Sequence, residues 1–563
     1  MEREARKYTA NIEDLLVVDE PDKLAWHDRA NLVVIGFGGA GVVASLQALE
    51  QGGSVIAVDR FSGGGATEKS GGVVYAGGTR HQRDAGFDDT VEEMFKYLSY
   101  EGVPVRDETL RRFCETSNEN IEWLEGFGVR FGSSYFEERI SYPPEGYFLY
   151  YSGMEKFRGD RAKIVPRGHR TLGRGPTGQN YFAPLKDAAL RKGVRLITHA
   201  PARRLVVDSV GRVIGVEIQV IPEAHRARHE SLYQKVDPYK LGSGRVAEKA
   251  IADCRAFEES VPTERRLLRA DRGVVLAAGG YNYNLELFAK YRPIIKDVYG
   301  DITRGGSMGC DGSGIELGIS AGGALSHMDR FFVTKPLSPP PSFVQGVLVN
   351  AEGQRYIAED AYLGNIGCAT SEQSGLGTAW LILDNRIFWK GFRELIWPLK
   401  NAFSWYGLPA ILNIFLGGTK RARSIVELAS RCGIEESGLE RTLSEFNVCA
   451  KQRLDTEHGK MAIHLTALEN PPYFALNMSL RNKWCFSGAM PFGGLTVEED
   501  TGVVTRADGS LVEGLYAAGR TALGVCSESN FSGLSIADTI FSGRRAASAA
   551  LSSGVVQAVP EAI

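Results

Sequence analysis

The sequence predicts an α/β chain: a parallel-sheet core with a second, α+β unit inserted late. Three observations predict it. NLVVIGFGGAG (31–41) runs from an apolar strand into glycines and on into the amphipathic VVASLQALEQGG (42–53). SVIAVDR (54–60) and RGVVLAAGGY (272–281) are short apolar runs of the kind buried in parallel sheets. GLYAAGR (514–520) repeats that pattern near the C-terminus, before a long helical stretch, so the core is assembled from both ends of the chain.

Each element follows in order. Residues 1–28 are a charged extension without the apolar run of a secretory signal. Residues 61–79 (FSGGGATEKSGGVVYAGGT) are glycine-rich and are expected to cross over a bound cofactor. Residues 88–130 carry amphipathic helices, and 195–218 read as a β-meander with a turn at DSVGR. The charged stretch 222–270 reads as a helical excursion before the 272–281 strand. PLSPPP (336–341) marks a boundary, and 420–458 reads as two surface helices. The expected division is a first domain of 29–329 and 484–555, with a capping unit of 330–483 between them.

Composition narrows the function. The chain has 563 residues, 43% hydrophobic and 24% charged, so it buries ample core. A net charge of −3 gives no general pull toward nucleic acid. The eight cysteines include no C-x-x-C pair, which argues against zinc or a redox couple and for a reducing cytoplasm. No HExxH motif and no catalytic Ser–His pattern is evident, so neither a metal site nor a hydrolase is expected. The stretch 395–416 (LIWPLKNAFSWYGLPAILNIFL) is the most apolar. Lys400 and two prolines make it a poor spanning helix. It reads as packed cap, or as a lip touching a membrane surface.

The glycine turn carries the chemistry. Gly36-Phe-Gly38-Gly39-Ala40-Gly41 is a G-x-G-x-x-G between strand and helix, and Asp59 ends the next strand 18 residues past Gly41. Glycines let a pyrophosphate approach a helix N-terminus, and the acid accepts from a ribose hydroxyl, which points to an adenine dinucleotide. Candidate contacts extend along the cofactor: Arg60, Thr67, Ser70, Gly71 and Gly72 in the crossover, then Ala202, Ala278 and Gly279.

SGGGATEKSGG, the meander, VVLAAGGY and GLYAAGR occur in the order found in the fumarate reductase/succinate dehydrogenase flavoproteins, which the chain resembles over nearly its whole length. That resemblance implies a Rossmann-like FAD-binding domain with an inserted capping domain, and cofactor contacts from Gly519, Arg520, Ser532, Gly533, Leu534 and Ser535 around the late strand and the start of the helix after it. The implied flavin is non-covalent, since no His sits in SGGGATEKSGG. Fumarate-reducing members carry a His-Thr pair where this chain has Met490-Pro491. Longer stretches are similar to the 3-ketosteroid dehydrogenases of the Δ4-(5α) branch: 70–98, 147–157, 165–170, 353–367 and 514–546. This resemblance implies a small apolar steroid substrate, dehydrogenation next to its 3-keto group and an external electron acceptor. It implies Tyr362, in EDAYLG, as base, with Ser532 and Asn530 holding the ketone; Asn530 stands where the family has tyrosine. Tyr75, His169 and the cluster Tyr135, Tyr142, Tyr147, Tyr150 and Tyr151 are further pocket candidates, each equally readable as packing. The alternatives are Δ1-dehydrogenation or enone reduction on the same scaffold. A reading of another class is a non-catalytic flavin-binding partner protein docked on a membrane through 395–416.

Overall fold

The computed structural model describes residues 12–238, 243–338, 340–397, 407–528 and 531–552. Its central sheet is built on the strands Arg195–Ile197, Val55–Val58, Asp28–Ile35, Glu264–Leu276 and Leu511–Ala517, mutually parallel in that order. Residues 32–35, 55–58 and 274–276 at the middle of the sheet are buried on both faces, as parallel strands require, while Leu196 and Ile197 at its edge are half-buried. The helices Gly39–Glu50 and Leu534–Ser552 pack together on one face and share a single apolar core.

The long strand Glu264–Leu276 organises the sheet. Its second half runs parallel to Leu511–Ala517, and its first half pairs antiparallel with Val213–Val220, which pairs with Ala202–Asp208. The meander therefore begins at Ala202. The stretch 195–197 belongs to the far parallel edge instead, because the chain turns between them at His199, whose φ is 53°. The charged excursion is helical over Glu223–Tyr233 and Ser243–Ser260, and becomes strand from Glu264. Its apolar face packs on Phe61, Tyr283, Met308 and Cys310, beside the end of the Asp59 strand.

A second core draws its residues from Leu337 to Cys485. It surrounds an antiparallel sheet of Val347–Val349, Trp380–Leu383, Tyr473–Asn477 and Lys420–Ala422. The helices Ile425–Cys432 and Glu436–Gln452 cover the sheet and add Leu428, Leu439, Leu443 and Phe446 to this core. In the apolar stretch, Asn385–Ile396 and Gly407–Leu416 are helices, and 398–406 lies outside the described residues. Among the described residues no helix is long and apolar enough to cross a membrane.

One joint fixes the two cores relative to each other. The helix Leu363–Ser371 lies directly on the strand Phe331–Thr334: a Cβ at Gly367 would sit 1.7 Å from the Val333 carbonyl oxygen. That close approach sets Tyr362 and Leu363, at the helix start, into the core of the first unit.

Candidate active site

A cavity of about 320 Å³ runs from the glycine turn to the joint between the two cores. Its wall at one end is backbone. Gly36 (φ 95°) could not carry a side chain, since a Cβ there would lie 2.6 Å from the Ala277 carbonyl. Gly38, Gly39 and Ala40 open the first helix toward the cavity. Its unpaired N–H groups and positive dipole end suit a phosphate. Gly41 does not line the cavity; a Cβ there would sit 1.8 Å from Gly36 O, so its role is the tight seating of helix on turn.

Asp59 is pinned by two backbone N–H groups, from Phe37 and Phe61, each donating at 2.8 Å. Burial lifts its carboxyl above the ordinary range against those donors. Arg60 lines the cavity, but its guanidinium is bidentate to Glu258 at 2.8 Å and reaches Asp311 at 2.7 Å. It therefore ties the helical excursion to the sheet. His229 bonds the same Glu258 at 2.8 Å, and Cys254 is close by, so three residues with metal-ligating groups converge that spacing in the sequence did not reveal. Glu258 is already neutralised by Arg60, and burial pushes the Cys254 thiol up to about 12, so the group reads as an ion-pair network.

Thr67, Ser70, Gly71, Gly72, Ala202, Ala278, Gly279, Gly519 and Arg520 all line the cavity. So do Ser532, Gly533 and Ser535, at the start of the last helix. Leu534 points into the core and does not reach it. Asn530 lies outside the described residues. Gly305, Gly306, Ser307 and Ser313 also line it, unforeseen. The glycine-rich GGSMGCDGSG (305–314) before the helix Ser313–Ser320 was the signal. These glycines, two helix N-termini and a pinned acid fit a dinucleotide, and the residues of the crossover and late strand continue the cradle past it.

The other end is apolar, walled by Phe332, Leu363, Phe486, Ala489, Met490 and Phe531. Tyr362, 5% exposed, enters here, and its oxygen accepts the Ser532 backbone N–H at 2.9 Å. A buried ionic cluster steadies the segment before it. Arg355 pairs with Glu359 and Asp455, and Lys460 bonds Glu359 at 2.9 Å, all almost fully sealed from water. Tyr150 is the residue the sequence hid among five tyrosines: its hydroxyl meets Ser532 Oγ at 2.8 Å. Burial holds the Tyr150 phenol well above its usual pKa, so it stays neutral.

Several candidates fall elsewhere. Of the tyrosine cluster only Tyr142 lines the cavity, and its hydroxyl is taken by the Gly71 and Gly175 carbonyls. Tyr75 packs edge-on against Phe531, 4.8 Å between centroids, and does not line the cavity. His169 is buried between Thr79 and the Arg167 carbonyl; burial pushes its pKa down to about 3, so it is a neutral packing residue.

Comparison with known proteins identifies the family. A family model described as FAD binding domain matches residues 31–533. The chain is 33% identical over 519 residues to the 3-oxo-5-alpha-steroid 4-dehydrogenase of Comamonas testosteroni, covering 90% of this chain and 95% of that one. It is 25% identical over 553 residues to a 3-oxosteroid 1-dehydrogenase of Mycobacterium tuberculosis, covering 87% and 92%. Among solved structures, the 3-ketosteroid-delta4-(5alpha)-dehydrogenase of Rhodococcus jostii, in complex with 4-androstene-3,17-dione, superposes with a TM-score of 0.77. That match is 29% identical and covers 94% of this chain and 99% of the other.

Proposed function

Since this chain belongs to the FAD binding domain family and to the 3-oxosteroid 4-dehydrogenases within it, we propose that it dehydrogenates 3-ketosteroids between carbons 4 and 5. The observation that carries this reading is the contact of Tyr362 with Ser532 in an apolar chamber that opens onto the glycine cradle. The cradle residues would hold FAD non-covalently, and FAD would supply the oxidant that accepts hydride from carbon 5. Every other part falls to the chain's own side chains.

The apolar walls take up the steroid skeleton, which favours burial by roughly 25 cal/mol per Å² of apolar surface. Tyr150, as donor to Ser532 Oγ, leaves the Ser532 hydroxyl hydrogen for the 3-keto oxygen. The N-terminus of the last helix, beside it, adds positive potential where enolate charge develops. That charge acidifies the carbon 4 proton, and Tyr362 removes it. The C–H electron pair becomes the double bond as hydride leaves carbon 5. Met490, on the cavity wall, offers no charge to a dicarboxylate, which disfavours fumarate-type chemistry. Dye-linked assays with saturated and 4-ene 3-ketosteroids test this reading. The expected product from the saturated ketone is the 4-ene; turnover of neither steroid overturns the assignment, and a 1-ene product transfers it to the Δ1 reaction. An external acceptor, represented by the dye, would take up the two electrons released.

We also propose that the chain works in the cytoplasm, at the membrane surface. Trp397 (77% exposed), directly after the helix Asn385–Ile396, projects to solvent together with Trp389 of that helix and Phe415 (66%), Leu408 and Leu416 of the helix Gly407–Leu416. The two helices meet at Phe392 and Phe415, 5.9 Å apart, with the exposed cations Lys390 and Arg393 alongside. Exposed aromatic and basic side chains together suit an anionic bilayer surface that stores the lipophilic substrate. Co-sedimentation with anionic vesicles, lost in a Trp397→Glu/Phe415→Glu variant, is the expected result; equal recovery of both proteins refutes it.

A further inference from the structure

A phenol accepts a proton only as phenolate, and an unperturbed tyrosine has a pKa of about 10. The surroundings of Tyr362 bear on that cost. The Ser532 N–H donates to its oxygen at 2.9 Å, which favours the ionised form. Asp360, on its own segment, is bonded to His464 at 2.8 Å. Tyr150 is neutral and faces Ser532.

A further neighbour is a cation from a distant element. Arg139 lies in the loop between the strands Tyr135–Phe136 and Leu149–Tyr150, and its guanidinium carbon sits 5.1 Å from the centre of the Tyr362 ring. Its Nε–H donates to the Gly153 carbonyl at 3.2 Å, and the Gly153 N–H donates to Glu155 Oε2 at 3.0 Å. Arg139 Nη2 is sealed from solvent without a hydrogen-bond partner. Glu155 Oε1, Tyr75 OH and Arg167 Nη1 are unpaired in the same way, while Arg167 is otherwise spent on Asp89 at 2.7 Å. A guanidinium with a buried, unpaired N–H is costly unless a charge answers it. Burial indeed pulls Arg139 below its ordinary pKa, and negative charge on Tyr362 is the strongest influence opposing that, ahead of Glu155, Tyr97 and Asp360.

We propose that Arg139 is a positioning residue for the dehydrogenation: its cation, fixed through Gly153, and the Ser532 N–H together hold Tyr362 as the phenolate that takes the steroid proton. The proton leaves carbon 4 for the Tyr362 oxygen, hydride leaves carbon 5, and the phenolate–guanidinium pair becomes a neutral phenol beside an unchanged guanidinium. The inference rests on Tyr362 being the base.

The test compares Arg139→Met, Arg139→Lys and Tyr362→Phe as FAD-loaded enzymes. The rate of anaerobic flavin reduction by a saturated 3-ketosteroid is followed against pH. A favourable charge at this distance shifts a pKa by roughly one to two units. Arg139→Met is therefore expected to move the alkaline-rising limb up by about that much, slowing the enzyme roughly ten- to hundredfold at neutral pH and little at high pH. Arg139→Lys should recover most of the difference. Independently of turnover, ultraviolet difference titration of the native protein should show a tyrosinate forming ahead of the others, absent in Tyr362→Phe. An unmoved limb in Arg139→Met overturns the inference. If that variant does not fold, the absence of an early tyrosinate in the native titration does so. Near-native turnover by Tyr362→Phe would instead remove the base assignment beneath it.

Discussion

Replacing Tyr362 by Phe deletes one oxygen and leaves the ring. The ring keeps its neighbours Phe332 and Phe531, at 6.0 and 6.4 Å, so packing is preserved. What is lost is the acceptor of the Ser532 N–H, at 2.9 Å in a site 5% exposed. An orphaned buried donor costs about 1–3 kcal/mol, a modest loss for a chain of this size. Catalysis should suffer more. Removing a general base slows the step by roughly 10²–10⁴, which is about 3–5 kcal/mol on the barrier. FAD content should be unchanged, because the cradle of Gly36, Gly38 and Asp59 is built from other elements. Anaerobic stopped-flow bleaching of the flavin by a saturated 3-ketosteroid isolates the step, and the spectral shift on adding the 4-ene product reports binding. Full flavin, near-native product affinity and a slow bleach are expected. Bleaching within about threefold of the native rate would show that another group takes the proton.

Three further outcomes follow from the same geometry. Tyr150→Phe removes the partner of Ser532 Oγ at 2.8 Å and should lower kcat about tenfold with little change in KM, whereas Ser532→Ala, at the ketone itself, should cost about a hundredfold; steady-state kinetics separate the two, and equal losses would refute the ordering. Gly41→Ala places a Cβ 1.8 Å from Gly36 O, so the protein should lose at least about 2 kcal/mol and purify with a depressed flavin-to-protein absorbance ratio; a normal ratio and melting temperature would count against the turn geometry. Glu155 is buried, and burial lifts its carboxyl to about 7 against the pull of Arg167, so the native state binds this proton more tightly than the unfolded chain. Its contribution is complete below the ordinary carboxyl pKa and is lost as pH rises through about 7. Relative to Glu155→Gln, the native protein should lose roughly 3 kcal/mol across that window, read from urea midpoints; parallel curves would refute it.

Much of the fold was legible because its causes are local. Gly36 needs a positive φ, and Gly41 needs room against Gly36 O. Both requirements are written within a few residues, as is the apolar run into Asp59. The helix starts that face the cofactor follow from the same local punctuation. The boundary at 195–202 was less legible, since a strand on a parallel edge and one in a meander have the same apolar pattern, and only the turn at His199 separates them.

The chemistry required the tertiary structure. Tyr150 and Ser532 are 382 residues apart, and Tyr362 and Ser532 are 170 apart. No spacing rule links side chains brought together by the packing of Leu363–Ser371 on Phe331–Thr334. Five tyrosines in the 135–151 stretch looked alike, and burial alone decided that Tyr150 meets Ser532 while Tyr147 stays exposed. Arg139 gave no signal in sequence, because a lone arginine in a charged loop reads as solvated surface. The sequence by itself determined where a cofactor is cradled, since backbone geometry is enforced residue by residue. The tertiary structure decided which side chains face the substrate, since that depends on contacts whose free energy comes from packing across the whole chain.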